Sequence, residues 1–250
     1  MSNRAALLVD LGNTRLKWAS YGDDLWETRA LTVPGRDVES LLTEAWGEMP
    51  APGRVVIASV AERATVDAVT AWTHRRWSIP VHNVVASDQV LGVRNCYRAP
   101  HTLGADRWAA LIGARAETAA GACVIDCGTA VTVDALSAAG EFAGGVILPG
   151  VALMRGALAR GTAGVRPPDG DEVSCLACAT ADAVAAGSVY GLAGAIERIA
   201  QEFEQALDEP LELLITGGDA DRIAARLKRP ARRVPDLVLK GLARIADTLC

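Results

Sequence analysis

The chain reads as a duplicated α/β protein, and three observations predict this fold class. Short apolar runs closing on Asp or Gly alternate with longer stretches of helical character, the pattern of sheets covered by helices. The order in the first half is β-β-β-α-β-α-β, and a run of the same kind restarts near Ala122. The restart is visible in the letters: Val9-Asp10-Leu11-Gly12-Asn13-Thr14 matches Ile125-Asp126-Cys127-Gly128-Thr129-Ala130 at an offset of 116 residues.

In order, Ala5–Asp10 is an apolar strand ending at Gly12-Asn13. Thr14–Tyr21 and Leu25–Val33 follow as strands, with Gly22-Asp23-Asp24 as the turn between them. Asp37 caps a helix through Leu41, Leu42 and Trp46. Arg54–Val60 is a strand, Ala64–Trp77 a helix and Ile79–Val85 a strand. A loop containing Gly92, Pro100 and Gly104 leads into a helix from Ala105 to Ala119.

The second copy opens with strands Ala122–Asp126, Ala130–Leu136 and Phe142–Ile147. A helix at Val151–Ala159 precedes a Gly-, Pro- and Asp-rich loop from Gly161 to Glu172. A long helix spans Ala179–Leu207, Leu211–Thr216 is a strand, and a helix begins near Asp219. Val234 closes a last short strand before a terminal helix from Asp236. The expected domains are 1–112 and 113–250, with the terminal helix free to cross back to the first.

Half of the 250 residues are hydrophobic and the net charge is −5, which argues against nucleic acid as the main partner. The cluster Arg226, Lys228, Arg229, Arg232 and Arg233 reads as a solvated helix end and loop. The N-terminus lacks a signal-peptide pattern, and the longest helical apolar stretch, Ala183–Ile196, is too short to span a bilayer. A soluble, cytoplasmic protein with no membrane partner is expected. Its six cysteines then read as reduced thiols, and the lone Cys175-x-x-Cys178 pair lacks the further ligands of a zinc site.

An Asp-x-Gly turn between two strands suits phosphate chemistry. Gly12 and Gly128 let the backbone turn tightly and approach an oxyanion. Turn N–H groups and the hydroxyls of Thr14 and Thr129 can bond phosphoryl oxygens. A carboxylate such as Asp10 can hold a hydrated Mg²⁺ that bridges phosphates, and Lys17 adds a point charge. Thr216-Gly217-Gly218-Asp219 offers a flat backbone surface to an adenosine, or is simply a tight turn between strand and helix. Asp106 and Arg107 open a helix, where free N–H groups favour anions. A carboxylate beside a guanidinium there suits a general base next to an anion clamp, or a capping Asp with a solvated Arg.

Asp10-x-Gly12-Asn13-Thr14-x-x-Lys17, Tyr97…Gly104-x-Asp106-Arg107, Asp126-x-Gly128-Thr129-Ala130 and Gly144-Gly145-x-Ile147-x-Pro149-Gly150 stand in this order over about 140 residues. Together they resemble the ordered motifs of type III pantothenate kinases, and Thr180-x-x-Ala183 and Thr216-Gly217-Gly218 extend the resemblance to nearly the whole chain. The resemblance implies two ribonuclease H-like domains of the actin/hexokinase type, facing each other across an ATP cleft. It implies transfer of a phosphoryl group from ATP to pantothenate, the first step of coenzyme A synthesis. Asp10, Gly12, Asn13, Thr14, Lys17 and Thr129 would then hold ATP, and Asp106 would take the proton from the pantothenate hydroxyl. Tyr97, Gly104, Ala105, Asp106 and Arg107 would hold pantothenate, with Thr180 supplied by the other subunit of a homodimer. Asp126 would help to bind a monovalent cation, K⁺ or NH₄⁺, needed alongside Mg²⁺. Gly187-x-x-x-Gly191 fits close helix packing, at the dimer interface or within the subunit. Two alternatives are a kinase of another small alcohol, such as a sugar, and a non-enzymatic accessory factor for transcription.

Overall fold

A computed structural model describes residues 5–22, 27–162 and 174–249. The turn residues Asp23 and Asp24, and the loop read at Gly161–Glu172 from residue 163 onward, lie outside the described residues. The chain divides into two compact units, Met1–Glu117 with Asp236–Cys250, and Thr118–Pro235.

The first unit holds a sheet of β1 (Ala6–Leu11), β2 (Arg15–Tyr21), β3 (Glu27–Thr32), β4 (Arg54–Ser59) and β5 (Val81–Asn83), in the order β3-β2-β1-β4-β5. β1, β2 and β3 run antiparallel in sequence, whereas β4 lies parallel to both β1 and β5. The central strands carry the buried apolar runs Ala6–Val9 and Val55–Ala58, as expected where both faces are covered. Leu7, Val9, Leu11 and Ile57 share one core with α1 (Val38–Trp46) and α2 (Arg63–Trp77). Asp37 caps α1 as read, its carboxylate accepting the Ser40 N–H at 2.9 Å. Four tryptophans fill this core. Trp46 lies 5.8 Å from Trp72 and 6.4 Å from Trp18, edge to face in both pairs, and 6.2 Å from Trp77. Edge-to-face pairs add about 0.5–1.5 kcal/mol each beyond area burial.

The strand read at Ile79–Val85 shrinks to three residues, and the loop around Gly92 contains a tight hairpin. β6 (Gln89–Val90) pairs with β7 (Val93–Asn95) across Leu91 and Gly92, both at positive φ (49° and 79°). A two-residue turn of that hand matches strand twist, and it places a leucine where glycine or asparagine is usual.

α3 (Ala105–Glu117) and the terminal α7 (Leu237–Ala246) cross closely within this unit. The crossing exists because Gly113 and Gly241 have no side chain. A Cβ at 113 would lie 2.5 Å from the Leu237 carbonyl oxygen, and one at 241 would overlap the Ala109 carbonyl. Tyr21 Oη donates to Asp247 (3.0 Å) and Thr28 Oγ1 to Asp236 (2.9 Å), tying both ends of α7 to β2 and β3.

The second unit repeats the plan. β8 (Ala122–Cys127), β9 (Ala130–Leu136), β10 (Glu141–Pro149), β11 (Glu212–Thr216) and β12 (Arg232–Arg233) lie in the order β12-β11-β8-β9-β10. Read from the other edge, β10-β9-β8-β11-β12 reproduces β3-β2-β1-β4-β5, with β8 and β9 antiparallel and β8 and β11 parallel. α4 (Val151–Gly161), α5 (Thr180–Leu207) and α6 (Ala220–Ala224) complete it, and α5 buries Val189, Leu192 and Ile196 against Ile125 and Val133. The basic cluster is paired rather than merely solvated: Arg229 bonds Glu204 at 2.8 Å, Arg232 bonds Glu212 at 2.6 Å and Arg233 bonds Asp221 at 2.9 Å.

Candidate active site

In the first unit, Asp10 is the penultimate residue of β1 and stands opposite Lys17 of β2, both half-buried. The turn between them closes with the Gly12 N–H donating to the Arg15 carbonyl at 3.0 Å, leaving Asn13 exposed and Thr14 half-buried. The glycine is not required by the turn itself. Gly12 is absent from the positive-φ residues, and a Cβ there would meet only the Arg15 carbonyl at an ordinary 3.6 Å. Close approach of a ligand is therefore the stronger of the two reasons for glycine at this position.

A chain of contacts connects this turn with the start of α3. The Val60 N–H donates to the Leu11 carbonyl (3.2 Å), and Val60 in turn packs against Gly104. At 104 a Cβ would sit 2.6 Å from Asp106 Oδ1, so glycine here clears the space occupied by that carboxylate. Asp106 Oδ1 also accepts the Arg107 N–H at 2.7 Å, holding the half-buried carboxylate over the first turn of the helix. Ala105 is buried, so its backbone rather than its methyl is available to a ligand.

Arg107 is not the solvated side chain that one reading allowed; it is 7% exposed. Its Nη1 donates to Tyr97 Oη at 2.9 Å, and the guanidinium carbon lies 5.8 Å from the Tyr97 ring centre. A buried guanidinium braced by a phenol is a suitable clamp for a carboxylate. Sequence reasoning passed over Asn95, which fixes the segment carrying Tyr97. Its only sequence signal was a polar residue closing an alternating apolar run.

In the second unit, Asp126 is the penultimate residue of β8, opposite Thr132 of β9, and Gly128 and Thr129 are exposed in the turn. Gly128 resembles Gly12, since a Cβ there would meet the Ala130 carbonyl at 3.5 Å. Gly150 differs. Its N–H donates to the Thr129 carbonyl (2.9 Å), and a Cβ would lie 2.5 Å from that same oxygen. This explains the glycine of the Gly144–Gly150 motif: Gly150 is the N-cap of α4, so the positive end of that helix is held against the Gly128-Thr129 turn.

The Thr216–Asp219 turn lies on the same strand ends. Gly217, at φ 95°, would place a Cβ 2.5 Å from Asp126 Oδ1, and the Asp219 N–H donates to the Cys127 carbonyl at 3.0 Å. Burial, then the Asp126 and Asp219 carboxylates, push the Cys127 thiol far up, so it stays protonated and takes no part in chemistry. Thr180 opens α5, exposed, in the second unit, whereas Tyr97, Asp106 and Arg107 belong to the first.

Duplicated α/β units, each with an Asp-x-Gly hairpin at the end of its central strand, define the ATPase class of actin and hexokinase. Solved structures carry the same fold: MreB 5 of Spiroplasma citri bound to AMPPNP (TM-score 0.55, 11% identity, 100% of this chain and 98% of that one). A protein from Campylobacter jejuni assigned to the Baf family of transcriptional activators is also similar (TM-score 0.60, 21% identity, 96% and 97%). At these identities the likeness concerns the fold. Residues 6–202 match the model of the type III pantothenate kinase family. Type III pantothenate kinases of Nitrosococcus oceani (38% identity, 96% of this chain and 93% of the relative) and Alkalilimnicola ehrlichii (41%, 96% and 97%) align over nearly their full length. The chain belongs to the type III pantothenate kinase family. It is an enzyme that phosphorylates pantothenate at the expense of ATP, in coenzyme A biosynthesis.

Proposed function

We propose that pantothenate is held by Tyr97, Gly104, Ala105 and Arg107, and that Asp106 is the general base. The observation that carries this reading is the cluster of Tyr97, Asp106 and the buried Arg107 at the start of one helix. Arg107 takes the pantothenate carboxylate. Asp106 orients the terminal hydroxyl and accepts its proton as the oxygen forms a bond to the γ-phosphorus. The bond from that phosphorus to the β–γ bridging oxygen breaks, and ADP leaves with its electron pair. Lys17, Thr14, Gly12, Asn13 and Thr129 neutralise and hold phosphoryl oxygens, so catalysis is mainly positioning and charge compensation.

The residues also fit two ions. Asp10 is a single half-buried carboxylate beside a phosphate-binding turn, which suits a Mg²⁺ that keeps several waters. When bound, Mg²⁺ supplies charge to the phosphates. Asp126 lies against the Gly217 backbone among turn carbonyls, an oxygen-rich setting suited to K⁺ or NH₄⁺.

Thr180 reaches pantothenate from the partner subunit of a homodimer. The single chain supports this interface. Gly187 and Gly191 are exposed on α5, a Cβ at 187 would meet nothing within 4 Å, and Tyr190 (37%), Leu153 (42%) and Leu158 (45%) leave apolar surface on α5 and α4. Gly187 thus fits an interface, whereas Gly191, where a Cβ would meet Met154 of α4 at 3.9 Å, also fits packing within the subunit. The described residues contain no helix long and apolar enough to cross a membrane, and an ATP-using step of coenzyme A synthesis fits the cytoplasm.

One experiment tests base and interface together, using ADP release with pantothenate. D106N should fold normally and lose about 10²–10⁴-fold in turnover. Mixed with the inactive T180V under subunit exchange, it should regain roughly a quarter of wild-type activity. Half of a random mixture is heterodimer, and each heterodimer has one intact site. Near-normal turnover of D106N refutes the base, and mixing without recovery refutes the shared site.

A further inference from the structure

We infer that Asn95 is the positioning residue that sets the pantothenate site. The inference rests on the reading that Tyr97 and Arg107 hold that substrate. Asn95 closes β7 and is 8% exposed, so its amide is shielded from water. A buried amide costs stability unless both its ends are bonded, and this one bonds backbone at both. Its Oδ1 accepts the Tyr97 N–H at 3.0 Å, and its Nδ2 donates to the Pro100 carbonyl at 3.1 Å. Its own N–H donates to the Asp88 carbonyl at 2.8 Å, fixing the residue to the chain just before β6.

The consequence is a closed circuit. Residues 96–99 form an irregular bridge, and Asn95 joins its beginning to the 3₁₀ turn at Pro100–Thr102 that leads into α3. The two groups it fixes are the backbone of Tyr97 and the approach to Gly104, Asp106 and Arg107. Tyr97 Oη then receives the Arg107 Nη1–H, which closes the loop through side chains. Asn95 therefore sets the distance between the phenol and the buried guanidinium without touching substrate. Asparagine is the fitting residue here because one planar group must accept at one end and donate at the other. Glutamine would carry that group one methylene too far from the strand.

Steady-state kinetics of N95A and N95D test this, with wild-type turnover of pantothenate confirmed first so that failure of the substrate reading is seen separately. N95A should raise KM for pantothenate about 10-fold or more, the scale expected for losing two bonds of a buried group, and leave KM for ATP within about twofold. N95D adds a readout that a merely structural role would not move. Its carboxyl can replace both bonds only when protonated, and burial beside a carbonyl raises its pKa. The ratio of its pantothenate KM to that of wild type should therefore fall as pH drops from roughly 8 to 6. If N95A does not fold, the N95D ratio decides alone. An unchanged pantothenate KM in folded N95A, an equal rise in both KM values, or an N95D ratio flat with pH would each overturn the assignment.

Discussion

In the first hairpin Asp10 stands opposite Lys17, whereas in the second Asp126 stands opposite Thr132. Four residues separate the last paired positions Leu11 and Leu16, and three separate Cys127 and Val131. Counted back from the second strand, Thr14 therefore corresponds to Thr129, and Asn13 is the extra residue. The surroundings differ as well. In the first turn the Thr14 carbonyl accepts the Val33 N–H (3.0 Å), the Leu11 carbonyl accepts the Val60 N–H (3.2 Å), and Lys17 stands opposite Asp10. The second turn is braced by Gly150 at the start of α4, and its carboxylate is covered by Gly217. One backbone plan thus carries two sets of side chains: a carboxylate opposite a lysine, and a carboxylate opposite a threonine beside a helix N-terminus. Duplication conserves topology more readily than it conserves charge.

Substitutions that treat the two hairpins alike should break this comparison if it is wrong. The largest difference is expected between Lys17→Met and Thr132→Val. Removing the point charge should cost about 10²–10³-fold in kcat/KM for ATP, the scale of losing one donor to developing charge, while Thr132→Val should stay within about tenfold. Equal losses in the coupled assay would show that the hairpins are chemically equivalent.

The glycines give the next contrast. Gly150→Ala pushes a methyl onto the Gly128 and Thr129 carbonyls, and a shift of that turn should cost about 100-fold in turnover together with a lower melting temperature. Gly12→Ala meets only ordinary contact, so its melting temperature should be unchanged while KM for ATP rises several-fold, about the scale of one lost hydrogen bond. A large drop in melting temperature for Gly12→Ala would restore the tight turn as the reason for that glycine.

The topology was legible because its signals are local. Apolar runs such as Leu7-Leu8-Val9 report strands buried on both faces, and the repeated Asp-x-Gly reports the start of each copy. Asp37 reports a helix start through its own side chain. The misses involve pairs distant in sequence. Nothing near Gly241 announces that Ala109 will press against it, and nothing near Gly150 announces the Thr129 carbonyl. The hairpin through Leu91 escaped because leucine is a poor marker for positive φ. Arg107 was left open between clamp and solvated group, since burial of one guanidinium depends on how the Tyr97 segment folds back against the start of α3. The candidate site was therefore legible as a set of residues, and its internal order was not.

If Asp10 serves Mg²⁺ and Asp126 the monovalent cation, as proposed above, a cross-titration separates the two roles. Activity of D10N and D126N is followed against Mg²⁺ at saturating K⁺, and against K⁺ at saturating Mg²⁺. D126N should raise the half-activating K⁺ concentration at least about tenfold with little change in the Mg²⁺ response, and D10N should do the reverse. A K⁺ response in D126N identical to wild type, or both substitutions shifting the same ion, would contradict that division of roles.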